Sequence, residues 1–124
     1  MATTIHALVD RCRASQLPAA IAKLPSGWVI MGERQVLPGY CLLLPDPVVP
    51  HLNALEPDAR AQFMFDMALV GDVLLAITAA ARINYAIYGN VDPALHAGIV
   101  AEVAVLQNLL NASVEELRKL TATN

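Results

Sequence analysis

The sequence predicts an α+β fold in which a long helix packs on one face of an antiparallel sheet. Two short apolar runs, at residues 28–31 and 40–44, are separated by a turn and predict an antiparallel hairpin. From Pro57 to about residue 81, apolar residues recur every three or four positions, which predicts a long helix. Alternating strand formers at residues 83–88 then predict a further strand.

Length and composition predict one folded domain that spans residues 1–124. Hydrophobic residues make up 56% of the chain and charged residues 15%, a balance that favours a buried core over disorder. The formal net charge of −3 argues against a nucleic-acid footprint, which needs clustered basic charge. The surplus of apolar residues favours a homodimer, with the apolar residues 99–110 at or near its interface.

Neither export nor membrane insertion is expected. His6 and nearby charged residues interrupt the first apolar run, so it does not resemble a signal peptide. The apolar stretch at residues 68–81 contains Asp72 and is shorter than the ~20 residues that span a bilayer. Cys12 and Cys41 do not make a disulfide framework and are expected to be reduced, buried residues. We therefore expect a cytoplasmic protein with no membrane partner.

A first helix is predicted at residues 4–14, with Thr3 or Thr4 as its N-cap. Its apolar residues recur at helical spacing: Ile5, Leu8, Val9 and Cys12. Pro18 and Pro25 then punctuate the chain ahead of the hairpin, so no regular element is predicted between them.

The long helix follows a proline-rich segment. Pro45 closes the second hairpin strand, and two prolines within residues 46–50 exclude regular structure there. Pro57 is a favoured first-turn residue, and the helix is predicted to end at residue 81 or 82. Its dominant apolar face carries Phe63, Met67, Val70, Leu74, Ile77 and Ala81, widened by Met64, Leu69 and Val73. Such a wide face predicts a helix that is covered on more than one side.

The C-terminal third gives a less uniform pattern. Residues 89–93 have the composition of a turn. Residues 95–105 fit either a helix or a strand, and both alternatives stay open. Ser113 and Glu116 have the spacing of a capping box, which predicts a last helix at residues 114–121.

Three motifs carry a resemblance to a known family. One is the run VLPGYCLLLP at residues 36–45, and a second is HLNAL at residues 51–55, ahead of the long helix. The third joins INY at residues 83–85 to GNVDPALHA at residues 89–97. In this order, residues 24–98 resemble the histidine triad (HIT) superfamily, in the branch of nucleotide hydrolases with an Asp-Pro-x-x-His-x-His motif.

The resemblance implies nucleotide phosphate chemistry at a degenerate triad. In the family, three histidines at alternate strand positions face one phosphate, and the middle one attacks the α-phosphate. Here Ala94 stands at the first position, His96 at the middle and Gly98 at the third. Residues 101–103 replace an expected Pro-Arg-Tyr, so residues 99–124 form a divergent C-terminal segment.

The resemblance thus implies a nucleotide-binding protein related to dinucleoside polyphosphate hydrolases, with weak or lost hydrolase activity. Its implied site residues are His96 as the catalytic residue and Asn84, Asn90 and Glu33 as nucleotide-binding residues. Without the resemblance, Asn84 suits a hydrogen bond at a strand edge, Asn90 suits a turn, and Glu33 suits a solvent-exposed turn. The three histidines are too dispersed for a metal site, and no cofactor is expected. The alternative is a catalytically inactive module that keeps the fold for dimerisation or partner binding.

Overall fold

The computed structural model describes residues 2–33 and 39–102. The elements in order are α1 (Thr4–Arg13), β1 (Ala20–Leu24), β2 (Gly27–Met31), β3 (Cys41–Pro45), a 3-10 turn (Leu52–Ala54), α2 (Pro57–Ile77), β4 (Arg82–Ala86) and β5 (Ala97–Glu102). None of the described helices combines the length and hydrophobicity that a membrane crossing requires.

The five described strands form one antiparallel sheet in the order β1-β2-β3-β5-β4. The predicted α+β fold is therefore confirmed. The predicted hairpin is β2 and β3, in which Trp28 lies opposite Leu44 and Met31 opposite Cys41. Because β5 lies between β3 and β4, the segment that follows the family-like motif occupies the interior of the sheet.

Each face of the sheet carries its own helix. Residues from alternate positions of the strands pack against α2 in a buried cluster: Val29, Cys41, Leu43, Ala97, Ile99 and Ala101 with Phe63, Met67, Val70 and Leu74. The intervening positions pack against α1 in a second cluster: Ile30, Leu44 and Ala94 with Ile5, Val9 and Cys12. Cys12 and Cys41 are free and belong to different clusters, so they do not form a disulfide with each other. Burial raises the pKa of both thiols, which keeps them protonated at neutral pH.

Local hydrogen bonds fix the start of α1 and the end of α2. Thr3 is the N-cap of α1: its Oγ1 accepts from the His6 backbone N–H, and His6 Nδ1 accepts from the Thr3 N–H. α2 ends at Ile77 rather than at residue 81 or 82. Thr78 is extended (φ −118°, ψ 161°), and its hydroxyl donates to the Leu74 carbonyl at 2.7 Å. The Thr78 backbone N–H donates to the same carbonyl at 2.9 Å, so Thr78 is the C-cap and the helix ends before its apolar pattern does.

Two acidic side chains tie the helices to the sheet. The Asp46 carboxylate accepts hydrogen bonds from Arg13 in α1 and from the Trp28 indole N–H, the latter at 3.0 Å. The Arg13 guanidinium lowers the pKa of Asp46, with a further contribution from Trp28. Asp66 in α2 is buried, and its carboxylate accepts from the Ser26 backbone N–H at 2.8 Å and from Gln62 at 2.8 Å. These bonds attach α1 to the residue that follows β3 and α2 to the turn that precedes β2.

The structure adds one strand that the sequence did not indicate and decides between two open alternatives. Residues Ala20–Leu24 form β1, although the sequence predicted no element there, because a short run between prolines becomes a strand only by pairing with β2. Within the segment that fitted either a helix or a strand, Ala97–Glu102 form a strand, β5, since pairing with β3 and β4 on both sides satisfies its backbone. Ile99 is buried against α2 of its own chain rather than left for an interface. The predicted helix at residues 114–121 lies outside the described residues.

The prediction that α2 is covered on more than one side fails within the described chain. Leu69, Val73 and Ile77 are 38%, 54% and 73% exposed. Together with Ile21 of β1 and Met31 of β2 they line an entirely apolar groove of about 420 Å³ between α2 and the β1–β3 part of the sheet. The wide apolar face of α2 therefore exceeds what residues 2–33 and 39–102 cover.

Candidate functional site

The candidate site lies on the face of the sheet opposite α2. In β5, Ala97 and Ile99 point into the α2 cluster, so Gly98 between them points to the other face. Leu95 also joins the α2 cluster, while Ala94 packs against α1. The alternation thus extends back from β5 and places His96, which is half-buried, on the same face as Gly98.

The His96 imidazole is held in one orientation by its own backbone. Its Nδ1 atom lies 2.8 Å from the Ala94 carbonyl oxygen. Because a carbonyl oxygen only accepts, we assign the proton of the neutral ring to Nδ1, which leaves the lone pair on Nε2. A histidine nucleophile needs this state: a neutral ring, one tautomer and a fixed direction for the reactive nitrogen.

The backbone that orients His96 is itself fixed by packing. Ala94 and Leu95 are each 2% exposed, and the Leu95 N–H donates to the Val49 carbonyl at 2.8 Å. The cluster with α1 therefore occupies the surroundings of Ala94, the position that the resemblance assigns to the first histidine. An alanine methyl there contributes packing and no hydrogen-bond donor.

The position assigned to the third histidine, Gly98, is covered by a side chain from the neighbouring strand. A Cβ atom at Gly98 would lie 2.9 Å from the Tyr40 hydroxyl oxygen. A Cβ atom at Gly32 would overlap the ring of the same tyrosine. Tyr40 thus extends its phenol from Gly32 across to Gly98, on the face that carries His96. Sequence reasoning missed Tyr40, because Gly32 and Gly98 are far apart in the sequence and only the sheet brings both beside its ring.

The other predicted site residues stand at different distances from His96. Asn84 in β4 pairs with Val100, two positions beyond Gly98, so it shares the His96 face about 13 Å further along the strands. Asn90 is exposed in the segment between β4 and His96. Glu33 is exposed just beyond β2, two strands away from β5, or about 10 Å across the sheet. Among the described contacts, none joins these three residues to His96.

The remaining histidines have other surroundings. His6 is used in the N-terminal cap of α1, where its Nδ1 is an acceptor, the opposite role to that of His96 Nδ1. His51 is exposed and precedes the 3-10 turn without capping it through its side chain. Within residues 2–33 and 39–102, no three His, Cys, Asp or Glu side chains are grouped so as to hold a metal ion.

Comparison with solved structures identifies the class of protein that has this fold. A histidine triad protein from Bradyrhizobium japonicum is 29% identical, with a TM-score of 0.62 over 73% of this chain and 68% of that chain. A HIT-family protein from Bacillus subtilis has a TM-score of 0.68 at 12% identity, over 91% of this chain and 90% of that one. A HIT protein from Sinorhizobium meliloti has a TM-score of 0.63 at 22% identity, with the same two coverages.

No family model and no curated protein matches the sequence. The five-stranded antiparallel sheet with its long helix is nevertheless the fold of the HIT proteins. The chain belongs to the histidine triad superfamily.

Proposed function

We propose that this protein binds the phosphate of a nucleotide at His96 and turns nucleotide substrates over weakly or not at all. The observation that carries the proposal is the hydrogen bond from His96 Nδ1 to the Ala94 carbonyl at 2.8 Å. It leaves Nε2 as the lone-pair atom on the sheet face opposite α2. A HIT fold around a histidine in this state supports phosphate chemistry better than a purely structural role.

The reaction of this class proceeds in two displacements at phosphorus. The Nε2 lone pair forms an N–P bond while the bond from phosphorus to the leaving group breaks, and that group departs with its electron pair and takes a proton from water. A second water molecule then attacks phosphorus, breaks the N–P bond and releases a nucleoside monophosphate. Both displacements build negative charge on the phosphoryl oxygens, which needs preorganised donors. Ala94 and Gly98 have no side-chain donor for that charge.

The nucleoside portion of the ligand would extend along the sheet from His96. Asn84 is the best supported of the three proposed binding residues, because it is exposed and shares the face of His96. Its amide both donates and accepts, as recognition of a base or a sugar requires. Asn90 lies in the segment that leads to His96, within the proposed binding region. Glu33, beyond the end of β2 and two strands across the sheet from β5, offers a carboxylate that accepts from a ribose hydroxyl.

Thermal melts with AMP, GMP, ADP and diadenosine polyphosphates test this function. A ligand at 100 times its Kd stabilises the folded state by about 2.7 kcal/mol, so we expect a rise in Tm of several degrees with at least one nucleotide. His96→Ala should reduce that rise, whereas Asp58→Asn, an exposed change at the start of α2 on the opposite face of the sheet, should not. A Tm that no nucleotide changes would contradict the proposal.

A homodimer is also part of the proposal. The exposed apolar groove beside α2 is lined by Leu69, Val73 and Ile77, and a second copy would remove these side chains from water. Light scattering at micromolar concentration should give twice the chain mass of 13.3 kDa. A monomeric mass would contradict this part of the proposal.

The same groove favours the second candidate function, an inactive module that keeps the fold for assembly. The two candidates differ in one result. A dimer whose Tm is insensitive to every nucleotide would favour the inactive module, since that candidate needs the apolar groove and not the His96 nitrogen.

A further inference from the structure

Tyr40 lies directly before β3 and reaches across two neighbouring strands. Its backbone carbonyl accepts from the Gly32 N–H at 2.8 Å, which joins this residue to the end of β2. Its ring lies where a Cβ at Gly32 would be, and its hydroxyl oxygen lies 2.9 Å from the place of a Cβ at Gly98. The half-buried phenol therefore fits only because both neighbouring positions lack a side chain.

Gly98 and Tyr40 are sterically linked. Any residue other than glycine at position 98 would direct its side chain into the Tyr40 hydroxyl, so the phenol takes the space that a side chain at this position would otherwise fill. The Ala86 carbonyl oxygen lies 3.6 Å from the same point, on the other side of β5. The hydroxyl is thus located above β5 rather than at the margin of the sheet.

The hydroxyl is also within reach of a ligand at His96. Residues two positions apart on one face of a strand are separated by about 6.6 Å, so one phosphoryl group can contact the side chain at 96 and a group above position 98. A tyrosine hydroxyl both donates and accepts, and its hydrogen rotates to suit its partner. It can therefore donate to a phosphoryl oxygen whatever its partner is in the unliganded protein.

We propose that Tyr40 is a phosphate-binding residue whose hydroxyl supplies, from the adjacent strand, the hydrogen-bond donor that Gly98 lacks. This inference rests on the proposed function, because it assigns a further contact to the phosphate held at His96. The donor is a hydroxyl and reaches the ligand from the residue that precedes β3 rather than from β5.

Titration calorimetry of Tyr40→Phe tests the assignment. AMP and GMP are each compared with their nucleosides, adenosine and guanosine. Loss of the hydroxyl should weaken binding of the nucleotide by about tenfold or more, because the hydrogen bond is made to a charged group. Binding of the nucleoside, which has no phosphate, should stay within about twofold. A thermal melt of the variant establishes that it is folded.

Tyr85→Phe is the matched control. It removes the same atom from a tyrosine whose hydroxyl lies over Gly71 of α2, on the opposite face of the sheet. It should leave nucleotide affinity unchanged. Gly98→Ala is a second test, since the added methyl displaces the Tyr40 hydroxyl without removing it, and it should also weaken nucleotide binding selectively.

The outcomes separate this inference from the function on which it rests. If the wild-type protein binds neither AMP nor GMP, the proposed function is wrong and this assignment falls with it. If His96→Ala weakens nucleotide binding while Tyr40→Phe binds like wild type, the function stands and the assignment is wrong. Equal weakening of nucleotide and nucleoside in Tyr40→Phe would also overturn it, because the contact would then not be to the phosphate.

Discussion

Wild-type protein is expected to hydrolyse nucleoside phosphoramidates and dinucleoside polyphosphates at least about 10³-fold more slowly than an ordinary enzyme rate of ~10 s⁻¹. Each hydrogen-bond donor that is lost around the developing phosphoryl charge raises the activation free energy by ~3 kcal/mol, on the scale of oxyanion-hole deletions. Ala94 and Gly98 remove two such side chains relative to the family pattern, and one neutral hydroxyl from Tyr40 offsets only part of that loss. Steady-state assays with product separation at high protein concentration measure the rate.

Any residual turnover should vanish in His96→Ala, because the His96 imidazole is the proposed nucleophile and an alanine side chain has no atom that can attack phosphorus. Nucleotide binding should weaken less than turnover, because several residues contact the ligand whereas only the His96 Nε2 atom attacks phosphorus. Asp58→Asn is the control and should retain the wild-type rate, because Asp58 is exposed at the start of α2, on the opposite face of the sheet. Turnover near ~10 s⁻¹, or turnover that survives His96→Ala, would mean that the chemistry takes place elsewhere.

Gly27→Ala should lower the free energy of unfolding by about 3 kcal/mol, the upper end of the usual cost of overpacking. Gly27 begins β2 opposite Pro45. A Cβ here would overlap the Leu44 carbonyl oxygen and lie 2.8 Å from both the Leu44 carbonyl carbon and the Pro45 Cα. These are backbone atoms of a buried strand, so they cannot rotate aside as a side chain does. Urea unfolding with an unchanged m-value measures the loss.

Gly89→Ala is the matched control for this prediction. No atom lies within 4 Å of the position that its Cβ would take, so its effect should stay within about 0.5 kcal/mol. A Gly27→Ala protein as stable as wild type would show that β2 and β3 can separate at this point without cost. Comparison of the two variants cancels the common effect of replacing glycine by alanine on the unfolded chain.

Much of the fold follows from local patterns. Thr3 caps α1, Pro57 starts α2, and the apolar runs that end at Met31 and Pro45 form the β2–β3 hairpin, as their residue types indicate. Capping, proline geometry and the period of apolar residues act within a few positions of the chain, which is why they can be read from a single sequence. The end of α2 was predicted too late because an apolar pattern does not reveal that the backbone becomes extended at Thr78.

The sequence by itself determined the α+β class, the hairpin, the long helix and His96 as the residue at the centre of the family-like motif. Only the tertiary structure decided that β1 exists, that Ala97–Glu102 is a strand, that His96 Nδ1 meets the Ala94 carbonyl and that Tyr40 covers Gly98. Those features depend on backbone pairing and contacts between segments far apart in sequence. A strand in the sheet interior is stabilised by its neighbours, and the space above a glycine is defined by what the adjacent strand places there.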